Sequence, residues 1–152
     1  MSTIFDLMVN ESRESLFQLE CTATALDNKA YGLIAFNTIL LSIFAYSNEI
    51  YHSDFIYIPT ILIIISLLCV LFGIIPRTSH RMTGEKIINL YGGMEFDDAA
   101  GQLAFNYASL EKELTSVYNI KMRCVAISLI YTIIATITEA TILLYLIFRP
   151  SL

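Results

Sequence analysis

The chain has 152 residues, 56% of them hydrophobic, with a formal net charge of −5 and a mean hydropathy of +0.65. No basic block is present to release counterions from a phosphate backbone, which argues against a nucleic-acid binder. A soluble domain of this length would not need the long uncharged runs found here, so composition points to a single small membrane domain spanning 1–152.

Residues 1–29 hold Asp6, Glu11, Glu14, Glu20 and Asp27 against Arg13 and Lys29, and have no apolar core. They do not resemble a cleaved signal peptide, so the first span is expected to act as its own insertion signal. Leu16, Leu19, Ala23, Leu26 and Ala30 recur at helical spacing. That spacing predicts an N-terminal amphipathic helix, lying on the inner membrane surface or packing on the cytoplasmic part of the last helix.

Three runs after it carry almost no charge: 30–48, 55–76 and 124–148, the last interrupted by Glu139. A bilayer core of roughly 30 Å takes about 20 apolar residues as a helix. Lipid cannot satisfy a bare backbone, so such runs must be helical there. The expected fold is therefore an all-α integral membrane protein with three transmembrane helices. Pro59 falls in the first turn of span two, where its missing N–H costs little, and Pro76 ends that span.

The loop after span one has Glu49 and Asp54 but no Lys or Arg, whereas 77–123 has Arg77, Arg81, Lys86, Lys112, Lys121 and Arg123. The positive-inside rule places 77–123 and the N-terminus in the cytoplasm and the C-terminus outside. Gly92-Gly93 breaks the cytoplasmic segment, and Asp97-Asp98 is the expected N-cap of the last helix. From Asp98 to Pro150 there is one Gly and no internal Pro, which predicts a long helix running from the cytoplasm into span three.

That helix carries a telling face. Leu103, Tyr107, Leu110, Leu114 and Val117 make one apolar stripe, the cytoplasmic helix-packing residues. Eighteen residues make five turns, so Ser128, Thr132, Ala135 and Glu139 continue the face of Leu110, Leu114, Val117 and Lys121. A face apolar in water and polar in lipid avoids both solvents and should point inward. Two readings stay open: packing within one three-span bundle by close approach of small residues, or a pore lining or oligomer interface formed by Ser128, Thr132, Ala135 and Glu139 with Asn37 of span one. Glu139 is the strongest single candidate, because an acid in hydrocarbon costs about 2.5–3.5 kcal/mol on insertion scales. Asn37 should lie roughly 10 Å closer to the cytoplasm by helical rise, which leaves Ser42, Tyr46 or Ser66 level with Glu139. Packing seams are expected at Ala35, Thr38, Ser42 and Ala45 in span one, and at Leu62, Ser66, Cys69 and Gly73 in span two.

Other chemistry is sparse. Cys21, Cys69 and Cys124 have no metal-ligand spacing and read as free thiols. His52 and His80 fall on opposite sides of the membrane, so no metal site, cofactor or enzyme activity is expected. Arg77, Arg81, Lys86, Lys121 and Arg123 would meet a phosphate if brought together, but positive-inside anchoring accounts for all five without a ligand.

The stretch Asp27-Asn28-Lys29-Ala30-Tyr31-Gly32-Leu33-Ile34-Ala35-Phe36-Asn37 is similar to the "D-x-K-A … N" opening of the first span in the membrane effectors of Pycsar, a bacterial antiphage signalling system, which resemble the wider SLATT group of small membrane effectors. The order Leu71-Phe72-Gly73-Ile74-Ile75-Pro76, Asn89-Leu90-Tyr91-Gly92, then Val117-Tyr118 and Lys121 also resembles the Pycsar effector domain. The likeness covers residues 15–148. It implies a protein of the bacterial inner membrane, silent until infection, that then impairs the membrane; a chain this small would need several copies, a homo-oligomer, to enclose a water path. Asp27, Lys29 and Asn37 are the positions the likeness carries over. The chain has no room for a separate cyclic-nucleotide-binding domain, so 77–97 senses a nucleotide signal, a soluble partner does, or this is the membrane module alone. The competing expectation is a non-conducting membrane anchor or regulatory subunit that docks a soluble partner through its cytoplasmic helices.

Overall fold

The computed structural model describes residues 4–52, 54–75, 89–91 and 93–148, with the side chains of 4–6, 96 and 97 excepted. Arg77, Arg81 and Lys86 of the expected sensing set lie outside the described residues, as do His80, Gly92 and Arg149. Helix α1 runs Ile4–Tyr51, a 3-10 turn covers Asp54–Ile56, α2 runs Tyr57–Ile74 and α3 runs Phe96–Phe148. Among the described residues there is no strand. All three helices are long and apolar enough to cross a membrane.

The expected N-terminal helix at 1–29 and the expected span at 30–48 are one uninterrupted helix of 48 residues. Gly32 is the only Gly along it and there is no Pro, and a Gly costs about 1 kcal/mol in a helix interior, too little to break one this long. The helix stops at His52, whose φ of 47° is left-handed and whose N–H donates to the Asn48 carbonyl at 2.9 Å. This is the geometry of a residue that ends a helix.

Helix α2 stops because of the proline beyond its end. Ile75 precedes Pro76, which disfavours the α region for the residue before it, and Ile75 has ψ 119°. Its N–H closes the last turn on the Leu71 carbonyl at 3.2 Å. Helix α3 begins at Phe96, and Ala99 N–H donates to the Glu95 carbonyl at 3.0 Å. Asp97 and Asp98 thus fall within the first turn rather than at the cap, where acids still suit the positive end of the helix dipole.

The chain forms two compact units, Met1–Ala25 with Pro76–Asn119 and Leu26–Ile75 with Ile120–Leu152. In the first, Ser15 Oγ donates to Glu111 Oε1 at 2.6 Å, 96 positions apart. Tyr91, Ala100 and Ala104 are buried, and Asn106 Nδ2 donates to Tyr91 Oη. Leu103, Leu110, Leu114 and Val117 are all half-buried.

The second unit is a three-helix bundle. Its buried positions recur at alternating steps of three and four: Asn37, Leu40, Phe44 and Ser47 on α1; Pro59, Ile63, Ser66, Val70 and Gly73 on α2; Ser128, Thr132, Ala135 and Glu139 on α3. That is heptad spacing, which sets helices side by side at shallow crossing angles. Helices α1 and α3 run parallel, since Asp27 meets Lys121 and Asn37 meets Thr132 at separations of 94 and 95. Helix α2 is antiparallel to α3: Ser66 meets Ser128 and Thr132, while Gly73 meets Cys124. A Cβ on Gly73 would lie 2.9 Å from the Cβ of Cys124, so glycine permits the close approach there. Leu40, Phe44, Ile56, Ile63 and Ala135 form the apolar core. The outer surface is covered instead by exposed large side chains such as Ile39, Ile61, Leu68, Ile130 and Ile137, which suits hydrocarbon and not water.

Candidate functional site: a polar interior in an apolar bundle

Heptad spacing on α3 turns Ser128, Thr132, Ala135 and Glu139 to one side. With Asn37 they are the residues expected at a pore lining or oligomer interface, and within the single chain all five are buried. They form two polar layers of the three-helix unit.

The first layer joins all three helices. Asn37 Nδ2 donates to Ser66 Oγ at 2.8 Å, and Thr132 Oγ1 donates to Asn37 Oδ1 at 2.8 Å. Ser66 Oγ and Thr132 Oγ1 are 2.9 Å apart. A hydroxyl has one hydrogen and two lone pairs, so Ser66 Oγ accepts from the Asn37 amide and gives its hydrogen either to the Ser128 carbonyl at 2.8 Å or to Thr132 Oγ1, the latter closing a ring through Asn37, Ser66 and Thr132. Ser128 Oγ, 2.7 Å from Ser66 Oγ, fills the remaining acceptor position on that serine. Every buried polar group of this layer has a partner.

The second layer is Glu139, 3% exposed, on α3 and Ser47, 6% exposed, on α1. Ser47 stands beside the carboxyl, but its hydroxyl donates to the Ile43 carbonyl at 3.0 Å. Neither carboxyl oxygen of Glu139 has a hydrogen-bond partner among the described residues. Of the residues expected level with Glu139, Ser42 and Tyr46 are exposed, and Ser66 belongs to the Asn37 layer. The sequence signal that finds Ser47 is the heptad step from Asn37 through Leu40 and Phe44.

A charged pair lies beyond the first layer. Lys121 Nζ contacts both oxygens of Asp27, at 2.8 and 3.0 Å. Thus Lys121 of the expected sensing set is engaged by Asp27, one of the positions of the Pycsar likeness, while Arg123 and Lys29 are exposed. Among the described residues no group of His, Cys, Asp and Glu is placed to hold a metal ion.

The seam expected on span one faces outward: Ala35, Thr38, Ser42 and Ala45 are exposed. Thr38 Oγ1 donates to the Ile34 carbonyl and Ser42 Oγ to the Thr38 carbonyl, so neither needs a neighbouring helix. Thr38, Ser42 and Ala45 line an open groove of about 480 Å³ with Asn48, Tyr57 and Thr60. On span two, Ser66 and Gly73 are buried and Leu62 and Cys69 half-buried.

Fold and site together define a small all-helical protein whose three long apolar helices bury two polar layers beside an apolar core and present apolar side chains outward. No protein-family model, curated protein or solved structure matches this chain. The likeness to Pycsar effectors therefore rests on the residues quoted for it.

Proposed function

We propose that this chain is a multi-pass effector of the bacterial inner membrane, N-terminus in the cytoplasm, that impairs membrane integrity as an antiphage defence. The observation that carries the reading is Glu139, an acid buried among apolar helices with no hydrogen-bond partner among the described residues. A lone acid at membrane depth is costly, and stability alone gives no reason to keep it. The resting chain holds its polar groups inside one bundle. Opening that bundle would expose Asn37, Ser66, Ser128, Thr132 and Glu139 and offer water or a second copy a polar face. The groove at Thr38, Ser42 and Ala45 gives copies a place to pack closely. The trigger would be a nucleotide second messenger or a soluble partner.

The test is controlled expression in bacteria with a potential-sensitive dye. In phage-infected cells, where the trigger is supplied, wild type depolarises the membrane beyond cells lacking the protein, and Glu139→Leu does so at least tenfold less at equal abundance. Full expression in infected cells without that added depolarisation overturns the reading.

A second reading has its own support. Phe17 and Phe105, in the unit outside the three-helix bundle, are 66% and 75% exposed. Exposed aromatics there suit a membrane anchor that docks a soluble partner. Stable capture of one partner, lost in Phe105→Glu and accompanied by no leak in liposomes, would favour it.

A further inference from the structure

Among the described residues Glu139 is the one buried acid of the bundle, and its surroundings select what it binds. An ionised carboxylate only accepts hydrogen bonds. The hydroxyl beside the carboxyl, that of Ser47, has one hydrogen, and the Ile43 carbonyl takes it at 3.0 Å. Among the described residues no positive charge compensates: α2 has no charged residue from Tyr57 to Ile74, α1 none from Ala30 to Asn48, and α3 none but Glu139 from Cys124 to Phe148. At the helix ends Glu49, His52 and Asp54 are exposed, and so are the phenols of Tyr46, Tyr57 and Tyr145. A hard cation wants about six oxygen ligands, and the carboxyl with Ser47 Oγ falls well short.

A proton fits. It turns the carboxyl into a donor as well as an acceptor, and Ser47 Oγ keeps lone pairs after donating its own hydrogen. We infer that Glu139 is a proton-binding site, its carboxyl O–H donating to Ser47 Oγ and so tying α3 to α1. The proton completes the second polar layer as the Asn37 amide completes the first. Its loss leaves a carboxylate with no donor inside the bundle, which frees this end of α3 to turn towards water. The site needs only the bundle, whether or not the protein acts as an effector.

The test uses the full chain in lipid nanodiscs. A hydrophobic carbodiimide, which attacks carboxyl groups that carry a proton, is followed by mass spectrometry of the peptides. Infrared difference spectra read the carbonyl stretch of an unionised acid. Wild type is expected to take the label on Glu139 and to show the band. Both vanish in Glu139→Gln, which keeps the shape and a donor towards Ser47 and folds as wild type by circular dichroism. Ser47→Ala keeps the band but shifts it towards that of an unbonded acid. Wild type without label on Glu139, or without a band that Glu139→Gln removes, overturns the inference, and an unmoved band in Ser47→Ala overturns the Ser47 contact. Labelled protein that never depolarises infected cells would sink the effector reading alone; unlabelled protein that depolarises them fully would sink this inference alone.

Discussion

Thr132 Oγ1 donates to Asn37 Oδ1 at 2.8 Å across 95 positions of sequence. The bond fixes the rotation and register of α1 against α3, because the amide is also bonded to Ser66 of α2. Hydrogen bonds between helices in membranes average about 0.6 kcal/mol and reach about 1.7. A cycle of Asn37→Ala, Thr132→Ala and the double variant should give a coupling energy within that span, read from melts in detergent. Asn37→Asp should cost more than Thr132→Ala, because a carboxylate cannot donate to Ser66. Strict additivity of the two alanine variants would mean that the bond has no energetic reality.

The approach of α2 to α3 predicts a graded response at Gly73. An added Cβ meets the Cβ of Cys124 at 2.9 Å, so Gly73→Ala should destabilise by about 1–3 kcal/mol, the range for overpacking. Cys124→Ala should not relieve the clash, since alanine keeps the Cβ. Cys124→Gly should recover part of the loss, less the roughly 1 kcal/mol that glycine costs in a helix. Thermal midpoints of the four proteins decide it, and equal midpoints for Gly73→Ala and wild type would refute the contact.

These two sites show what the sequence alone could and could not reveal. Ser128, Thr132, Ala135 and Glu139 were legible as one inward face of α3 because a stripe that is apolar in water and polar in lipid has few places to go. The face of span one was not. Small and hydroxyl-bearing residues at Ala35, Thr38, Ser42 and Ala45 look like a packing seam, but serine and threonine satisfy themselves on their own helix. The asparagine amide has no such local outlet, and it pointed to the true face, which also carries Leu40 and Phe44. Ser47 went unseen for the same reason in reverse: its bond to Ile43 is local, and only its heptad position marks it as buried. Chain stops were easier where a proline acts through sterics, as at Ile75, than at Asp97-Asp98, where either of two acids suits a cap.

The Asp27–Lys121 pair is partly open to solvent, with side chains 32% and 14% exposed. Pairs of that kind contribute about 0.2–1 kcal/mol and weaken with salt. Asp27→Ala or Lys121→Ala should therefore lower the thermal midpoint only slightly at low ionic strength, with the difference shrinking as salt is added. The exchanged variant Asp27→Lys with Lys121→Asp should restore most of the loss. A single variant that abolishes depolarisation while leaving the midpoint unchanged would instead assign the pair a role in activation.

The parallel run of α1 and α3 with α2 antiparallel makes a demand on topology. If the three helices cross a membrane, the turn at Asp54–Ile56 lies on the side opposite the start of α1. Cys21 is exposed and supplies a native probe on α1. An impermeant maleimide added to intact cells should leave Cys21 unmodified and should modify it once the membrane is opened. Glu49→Cys, at an exposed position near the turn, should react in intact cells when Cys21 is replaced by serine. Hydrocarbon thickness sets the logic, since the 27 positions between residues 22 and 48 exceed the roughly 20 that a bilayer core takes. Reaction of both thiols from the same side would mean that α1 does not cross, and the reading of Glu139 as an acid at membrane depth would fall with it.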